Sequence, residues 1–230
     1  MRLLSGGFYI TRLLQKPHGL GELLPESLIT LSPCLGELLP DSWAFSWASH
    51  SDSDRVAAVQ KLGLTPDVVP FICEFVNAAF ATQELGWPSV WQSATVARNL
   101  LADPRIADRG FLLLELAIPE DFAATLLAEL APASGEGDSG LFAKLKTATP
   151  AQSSAASLGW ELLGVETGGS CHSWLCNSIQ NDAQQRLGVR PGPFGLLESE
   201  QDARAVLGLI ANGLGAEPVP WFPGLLSKVT

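Results

Sequence analysis

Residues 111–117 read FLLLELA, and this apolar run is the stretch that decides the fold class. A continuous apolar run of this length, followed by Pro119, is typical of a buried strand. Pro119, Glu120 and Asp121 then supply the proline and the acids that favour the first turn of a helix, which closes near Leu130. A buried strand that leads directly into a helix predicts a fold that mixes helices and strands.

Two further strands are predicted on either side of this run. Residues 8–14 combine aromatic and β-branched side chains, and residues 158–165 are mostly apolar. Helices separate the three strands along the chain, which permits parallel pairing without fixing the strand order. We therefore expect a single α+β domain over residues 1–230, with about six helices packed on a small mixed sheet.

The helices are predicted from apolar periodicity and from capping residues. They fall at about 53–62, 65–86, 93–101, 119–130, 171–187 and 199–210. Ser199 and Asp202 resemble a capping box at the start of the last helix. Residues 132–157 are rich in small and polar side chains and predict a surface or mobile segment, with one helical turn at 141–145. Residues 218–223 read PVPWFP, which predicts an extended tail that lies on the surface or in a groove.

The chain is acidic, with 24 acidic and 14 basic residues and a formal net charge of −10. Attraction to phosphate supplies most of the non-specific affinity for nucleic acids. The negative charge therefore argues against nucleic acid and against an anionic membrane as direct partners. An acidic surface suits a basic protein partner, although acidity also serves solubility alone.

The N-terminal sequence and the cysteine content favour a cytoplasmic protein. The first residues, MRLLSGG, contain one arginine and no continuing apolar run, so no signal peptide is expected. No apolar stretch reaches the roughly 20 residues that cross a bilayer. Four cysteines in a chain of this length do not form a disulfide framework, so we expect reduced thiols. The preference for arginine over lysine and the many Ala, Gly and Leu residues suit a GC-rich bacterial genome.

The turn that follows the strand at 158–165 is the most site-like feature of the sequence. It places Cys171 at the N-terminus of a predicted helix, where the helix dipole and free amides lower the pKa of a thiol. A nucleophilic Cys171 would need a distant base, His18 or His50, because adjacent side chains of a helix diverge and His172 points elsewhere. The alternative is that Cys171 leads an apolar row of the helix and packs in the core.

A metal site is a second possible use of this region. His172 and Cys176 share one face of the predicted helix, and Cys171, His18 or His50 would complete a tetrahedral zinc site. No second pair of ligands lies nearby in the sequence, so packing in the core is the simpler explanation. We therefore expect no metal and no other cofactor.

Seven tryptophans against one tyrosine give the chain an unusual aromatic content. Tryptophan fills protein cores and is also enriched among the hot spots of binding surfaces. The candidate binding residues are Trp43, Trp47, Trp87, Trp91, Trp174 and Trp221.

Two classes of function are compatible with these patterns. The first is a non-catalytic acidic protein that binds another protein, for example a bacterial immunity-type antidote that blocks the basic active site of a toxin. The second is a small hydrolase or transferase that uses Cys171. The sequence favours the first class because it contains no complete catalytic set, and it leaves the partner, the substrate and the oligomeric state open.

Overall fold

The structure is a computed structural model that combines helices with a large antiparallel sheet. It describes residues 2–17, 22–36, 38–40, 51–130, 140–152, 156–166, 171–176, 178–213 and 215–230. Within these ranges the chain forms seven α-helices and nine strands, which confirms the predicted α+β class. The helices number one more than expected, and the sheet is larger than expected and antiparallel throughout.

The elements follow one another in a mixed order along the chain. The strands are β1 (Leu3–Arg12), β2 (Leu14–Gln15), β3 (Ser27–Leu28), β4 (Leu85–Gly86), β5 (Val90–Trp91), β6 (Phe111–Pro119), β7 (Ala156–Val165), β8 (Cys171–Ser173) and β9 (Trp221–Lys228). The helices are α1 (Asp52–Lys61), α2 (Val69–Ala81), α3 (Ala94–Leu101), α4 (Glu120–Leu130), α5 (Gly140–Lys146), α6 (Ile179–Leu187) and α7 (Glu200–Ala211). Short 3-10 helices lie at Pro66–Val68 and Pro193–Gly195.

Seven strands form the main sheet in the order β4-β5-β1-β6-β9-β7-β8, and β2 pairs with β3 separately. The predicted strand at 111–117 is confirmed as β6, which pairs with β1 on one side and β9 on the other. The parallel pairing that the sequence permitted is absent from the described strands, since every strand pair is antiparallel. Because β8 is the last strand in this order, it forms one edge of the main sheet.

Both faces of the sheet are covered, which explains why its central strands are apolar on both sides. Successive side chains of a strand point to opposite faces. On β1, Phe8 and Ile10 pack in the cluster that contains α1 to α3, whereas Tyr9 packs in the cluster that contains α4 and α5. Helices α6 and α7 pack over β7 and β9, against Leu162 and Trp221.

The segment 218–223 differs from its predicted role as a surface tail. Its second half begins β9, which lies between β6 and β7, and Phe222 is fully buried. A proline inside a sheet needs a position where its missing N–H is not required. Pro223 satisfies this need, because β6 pairs only with residues 225–228 and the strand has one neighbour at Pro223.

The helix starts predicted from capping serines are confirmed. Ser51 and Asp54 form a reciprocal capping box at α1, and Ser93 caps α3. The Ser199 side chain accepts from the amide of Asp202 at α7, at 3.0 Å. These contacts satisfy amides that have no partner inside the helix, which is why the caps mark the helix starts.

In the segment 132–157, the helical turn predicted at 141–145 is confirmed and extends to a full helix. Residues 140–146 form α5, and one face of this helix is buried against the sheet. Residues 131–139 and 153–155 lie outside the described residues. The assignment of the whole chain to one domain stays a prediction.

No single helix in the described ranges is long and apolar enough to cross a membrane. The helix α1 and the helical residues 66–81 meet this test as a pair, although they are bent by 119° at their junction.

Candidate functional site

The structure gives Cys171 a different setting from the one that the sequence predicted. Cys171 is a buried residue of strand β8, and the following helix α6 begins only at Ile179. The prediction of a helix N-terminus at Cys171 is therefore wrong. Burial raises the pKa of the Cys171 thiol well above its usual range, and the charges of Glu161 and Glu166 raise it further. A thiol with a raised pKa is a poor nucleophile near neutral pH.

The predicted metal ligands are also arranged differently. His172 lies on β8 and Cys176 lies in the turn after it, so the two do not share a helix face. Among the described residues, no group of three or more His, Cys, Asp or Glu side chains is placed to hold a metal ion. His18 and His50, the proposed bases and further ligands, lie outside the described residues.

The tryptophans proposed for binding divide into three groups. Trp91, Trp174 and Trp221 are buried and fill the core. Trp87 is partly buried, and Trp43 and Trp47 lie outside the described residues. The rings of Trp91 and Trp174 are fully buried and offer no surface to a partner, whereas Trp221 keeps a small exposed part.

A thiol, an imidazole and a carboxylate meet instead at the β8 edge of the sheet. The Cys34 Sγ atom lies 3.7 Å from Nδ1 of His172, and Nε2 of His172 lies 2.9 Å from Oε1 of Glu166. Oε1 of Glu217 lies 3.9 Å from the same Nδ1. Cys34 is exposed, whereas the His172 side chain is only 16% exposed. We call Cys34, His172 and Glu166 the thiol site.

The hairpin between β7 and β8 explains why Glu166 and His172 meet. His172 pairs with Gly164, and Glu166 lies two residues beyond Gly164, so the side chains of His172 and Glu166 are diagonal neighbours on one face of the two strands. Glu166 is the first residue after β7, and His172 is the second residue of β8. Local pairing of two adjacent strands thus places a carboxylate beside one nitrogen of the ring.

The Glu166 carboxylate determines which nitrogen of the His172 ring carries the proton. An ionised carboxylate only accepts hydrogen bonds, so Nε2 of His172 carries the proton that it donates to Glu166. In the neutral ring the other nitrogen, Nδ1, then presents its lone pair, and this nitrogen faces the thiol of Cys34. This arrangement lets His172 accept the thiol proton.

A turn centred on Ser32 holds Cys34 beside the ring. The Ser32 hydroxyl accepts from the Cys34 amide at 3.3 Å and lies 3.4 Å from Sγ of Cys176. The Ser32 carbonyl accepts from the amides of Leu35 and Gly36. The pKa of the Cys176 thiol is raised to about 11, mainly by burial, so Cys176 is a poor nucleophile near neutral pH.

A buried carboxyl, Glu161 of β7, ties the two halves of the thiol site together. The Thr30 hydroxyl donates to its Oε1 at 2.5 Å, and the Leu31 amide donates to its Oε2 at 3.1 Å. Ser173, the neighbour of His172, also hydrogen-bonds to Glu161. Burial raises the pKa of Glu161 to about 7, because these hydrogen bonds offset only part of the lost hydration. Glu161 thus joins the segment that carries Cys34 to the strand that carries His172.

The sequence analysis missed Cys34 and treated it as an ordinary reduced thiol. A local signal was present, since Thr30, Ser32 and Pro33 before Cys34 are typical of a tight polar turn. The contact itself spans 138 positions, and nothing in the local pattern predicts it. Comparisons of this chain with protein-family models, with curated proteins and with solved structures found no match, so the thiol site is interpreted from its own geometry.

Proposed function

We propose that the protein is a thiol-dependent hydrolase or acyltransferase, with Cys34 as the nucleophile. The observation that carries this proposal is the position of His172 between the Cys34 thiol and the Glu166 carboxylate. A base within reach of the nucleophile and oriented by a third group is the common logic of Cys-His catalysis. The class of reaction is the one predicted from the sequence for Cys171, but the proposed nucleophile is Cys34.

In the proposed reaction, His172 moves one proton in each half. The Cys34 proton passes to Nδ1, and the thiolate attacks the carbonyl carbon of an ester, thioester or amide. The tetrahedral intermediate collapses as the bond to the leaving group breaks, and the leaving group takes the proton from His172. Water or an amine then attacks the thioester, gives its proton to His172, and releases Cys34, which regains that proton.

Two carboxylates favour the pair of charged groups that this reaction needs, the Cys34 thiolate and the His172 imidazolium. Glu166 and Glu217 both lie within 4 Å of a nitrogen of His172. Their negative charge stabilises the imidazolium that forms when the thiol loses its proton. The Glu166 side chain is 54% exposed, so solvent screens its charge and we expect it to stabilise the imidazolium only moderately.

The turn centred on Ser32 limits the expected rate of turnover. The amides of Cys34, Leu35 and Gly36 all donate to Ser32, so these three amides are not available to an oxyanion. Removal of one oxyanion donor lowers the rate by about 10²-fold to 10³-fold in enzymes that have such donors. We therefore expect slow turnover, and the test should detect the acyl-enzyme directly.

The test uses 4-nitrophenyl acetate and peptide mass spectrometry of the reacted chain. We expect one acetyl group on Cys34. We expect its rate of formation to fall about 10²-fold in His172→Ala, since proton transfer by a positioned base contributes at least that factor. In Glu166→Gln the amide can donate to Nε2 and favour the wrong tautomer, so we expect a loss of about tenfold or more.

The control for this test is Cys73→Ala. Cys73 is a partly buried thiol on α2, outside the thiol site, and this variant should be acetylated on Cys34 at the wild-type rate. Equal acetylation of Cys34 and Cys73 would contradict the proposal. So would a rate at Cys34 that does not change in His172→Ala.

A second candidate function is binding of a basic protein, as for a bacterial immunity-type antidote that blocks a toxin. It is supported by the net charge of −10 and by ion pairs that already engage much of the positive charge. The paired cations include Arg2, Lys16, Arg55, Arg105, Arg186 and Arg204. The remaining acidic excess would speed encounter with a basic partner and would disfavour nucleic acid and anionic membranes.

Salt dependence tests this second candidate. A partner captured by the tagged chain should bind at least tenfold more weakly when salt is raised from low to high concentration, because screening weakens attraction between exposed charges. A complex whose affinity does not change with salt would contradict it. A cytoplasmic and bacterial setting is part of the same proposal, and the four cysteines, all free thiols, are compatible with it.

A further inference from the structure

An apolar groove lies between the C-terminal half of α7 and the segment that leads into β9. Its volume is about 420 Å³, within the range of pockets that hold small molecules. Its lining includes Leu207 and Ile210 of α7, Ala216 and Glu217 of the segment that leads into β9, and Trp221 of β9. Among the described residues of this lining Glu217 alone is charged, so the groove suits an apolar group.

The sheet fixes one wall of the groove. Gly164 of β7 pairs with Trp221 of β9, and a Cβ atom at Gly164 would lie only 2.7 Å from Cε2 of the indole. The ring therefore packs closely against the strand at Gly164. Its Nε1 donates to the Glu217 carbonyl at 3.1 Å, which holds the segment 217–221 in place. The groove is thus a formed feature with a fixed aromatic wall.

Glu217 belongs to the lining of the groove and also lies beside the thiol site. Its Oε1 lies 3.9 Å from Nδ1 of His172, and Sγ of Cys34 lies 3.7 Å from the same nitrogen. The carboxylate and the thiol are therefore separated by no more than the sum of these two distances. An acyl group attached to Cys34 would need only a short chain to reach the residue that begins the groove.

We propose that this groove binds the apolar acyl group of the substrate, and that Glu217 and Glu166 select uncharged or cationic acyl donors over anionic ones. This inference rests on the proposed function, because it assigns the substrate class of the same site. The apolar lining would bury methylene groups, and the two carboxylates beside His172 would repel a donor that carries negative charge. The net charge of −10 acts in the same direction.

The chain length of the acyl donor tests the apolar part. We expect the rate of Cys34 acylation by 4-nitrophenyl esters to rise from acetate to butyrate to hexanoate. Burial of a methylene corresponds to a factor of about four, and the open groove should give about twofold to fourfold per methylene. Ala216→Phe fills the groove and should bring the ratio of the hexanoate rate to the acetate rate close to one. Ala124→Phe, at an exposed position of α4, is the matched control and should keep the wild-type ratio.

A charged donor of equal length tests the electrostatic part. The mono-4-nitrophenyl ester of adipic acid carries a terminal carboxylate on a six-carbon chain. We expect it to acylate Cys34 at least tenfold more slowly than the hexanoate ester, and Glu217→Gln should reduce this difference. Equal rates for the two esters in the wild-type chain would overturn the selection by charge.

The outcomes separate this inference from the proposed function. Two results would refute acyl binding in the groove and would leave the proposed thiol chemistry unaffected. One is acylation of Cys34 at rates that do not depend on chain length, and the other is a dependence on chain length that persists in Ala216→Phe. If Cys34 is not acylated at all, the thiol function fails. In that case calorimetry of hexanamide binding to Cys34→Ala still tests whether the groove binds an apolar chain. Binding that Ala216→Phe abolishes supports the groove, and absence of binding overturns it.

Discussion

Glu161 is the residue through which pH should act most directly on the stability of this fold. Its carboxyl is buried on β7, and burial raises its pKa from 4.5 to about 7 against the opposing effect of three hydrogen bonds. We predict that Glu161→Gln removes the pH dependence that this group confers. Glutamine has nearly the same shape. Its carbonyl can accept from the Leu31 amide, and its amide can donate to the Thr30 hydroxyl.

The sign and size of the effect follow from the two pKa values. Between pH 4.5 and about 7 the folded chain keeps a proton on Glu161 that the unfolded chain loses, so the free energy of unfolding falls as pH rises. Each pKa unit corresponds to about 1.4 kcal/mol, which gives a loss of about 3 kcal/mol across this interval. The contribution is fully present below the unfolded pKa and is lost as pH rises through the folded pKa.

The measurement is urea unfolding between pH 5 and pH 8, followed by tryptophan fluorescence. The difference in unfolding free energy between Glu161→Gln and the wild-type chain should shift by about 2 to 3 kcal/mol in favour of the variant as pH rises. Glu129→Gln, an exposed position on α4, is the control and should give a curve parallel to the wild type. A parallel curve for Glu161→Gln as well would refute the reasoning, because the buried carboxyl would then not hold its proton to a higher pH.

Three further substitutions test the fold by urea unfolding. Phe222→Ala should lower stability by about 3 to 5 kcal/mol, because Phe222 is fully buried in β9; a loss below about 1 kcal/mol would instead fit a surface tail. Gly164→Ala should cost about 1 to 3 kcal/mol, since the new methyl group would meet the Trp221 ring; an unchanged midpoint would contradict this contact. Ser199→Ala should cost about 1 kcal/mol through loss of the hydrogen bond to the Asp202 amide, and no loss would show that the cap is dispensable.

The elements that local patterns specify were predicted well. The run at 111–117 is β6, the strand predicted at 8–14 overlaps β1, and the strand predicted at 158–165 lies within β7. Helix starts at capping serines were also found where they were expected. These features depend on periodicity and on hydrogen bonds between near neighbours, which the sequence contains directly.

Two of the errors in secondary structure have a shared physical cause. Residues 171–187 show a four-residue apolar spacing and residues 218–223 are rich in proline, so local preference favoured a helix and an extended tail. In the fold, Cys171–Ser173 pairs with β7, and β9 fills the place between β6 and β7. Pairing with a neighbouring strand and burial of a whole face outweigh local propensity at such positions.

The sequence by itself determined the acidic charge, the mixed fold class and the positions of the capped helices and the most apolar strands. Only the tertiary structure decided that Cys34 meets His172 across 138 positions, and that Glu161 is buried between the segments that carry them. The physical reason is that propensity and periodicity act over a few residues, whereas strand order decides which distant side chains share an edge of the sheet. The raised pKa of Glu161 likewise comes from desolvation, which exists only after the chain has folded around it.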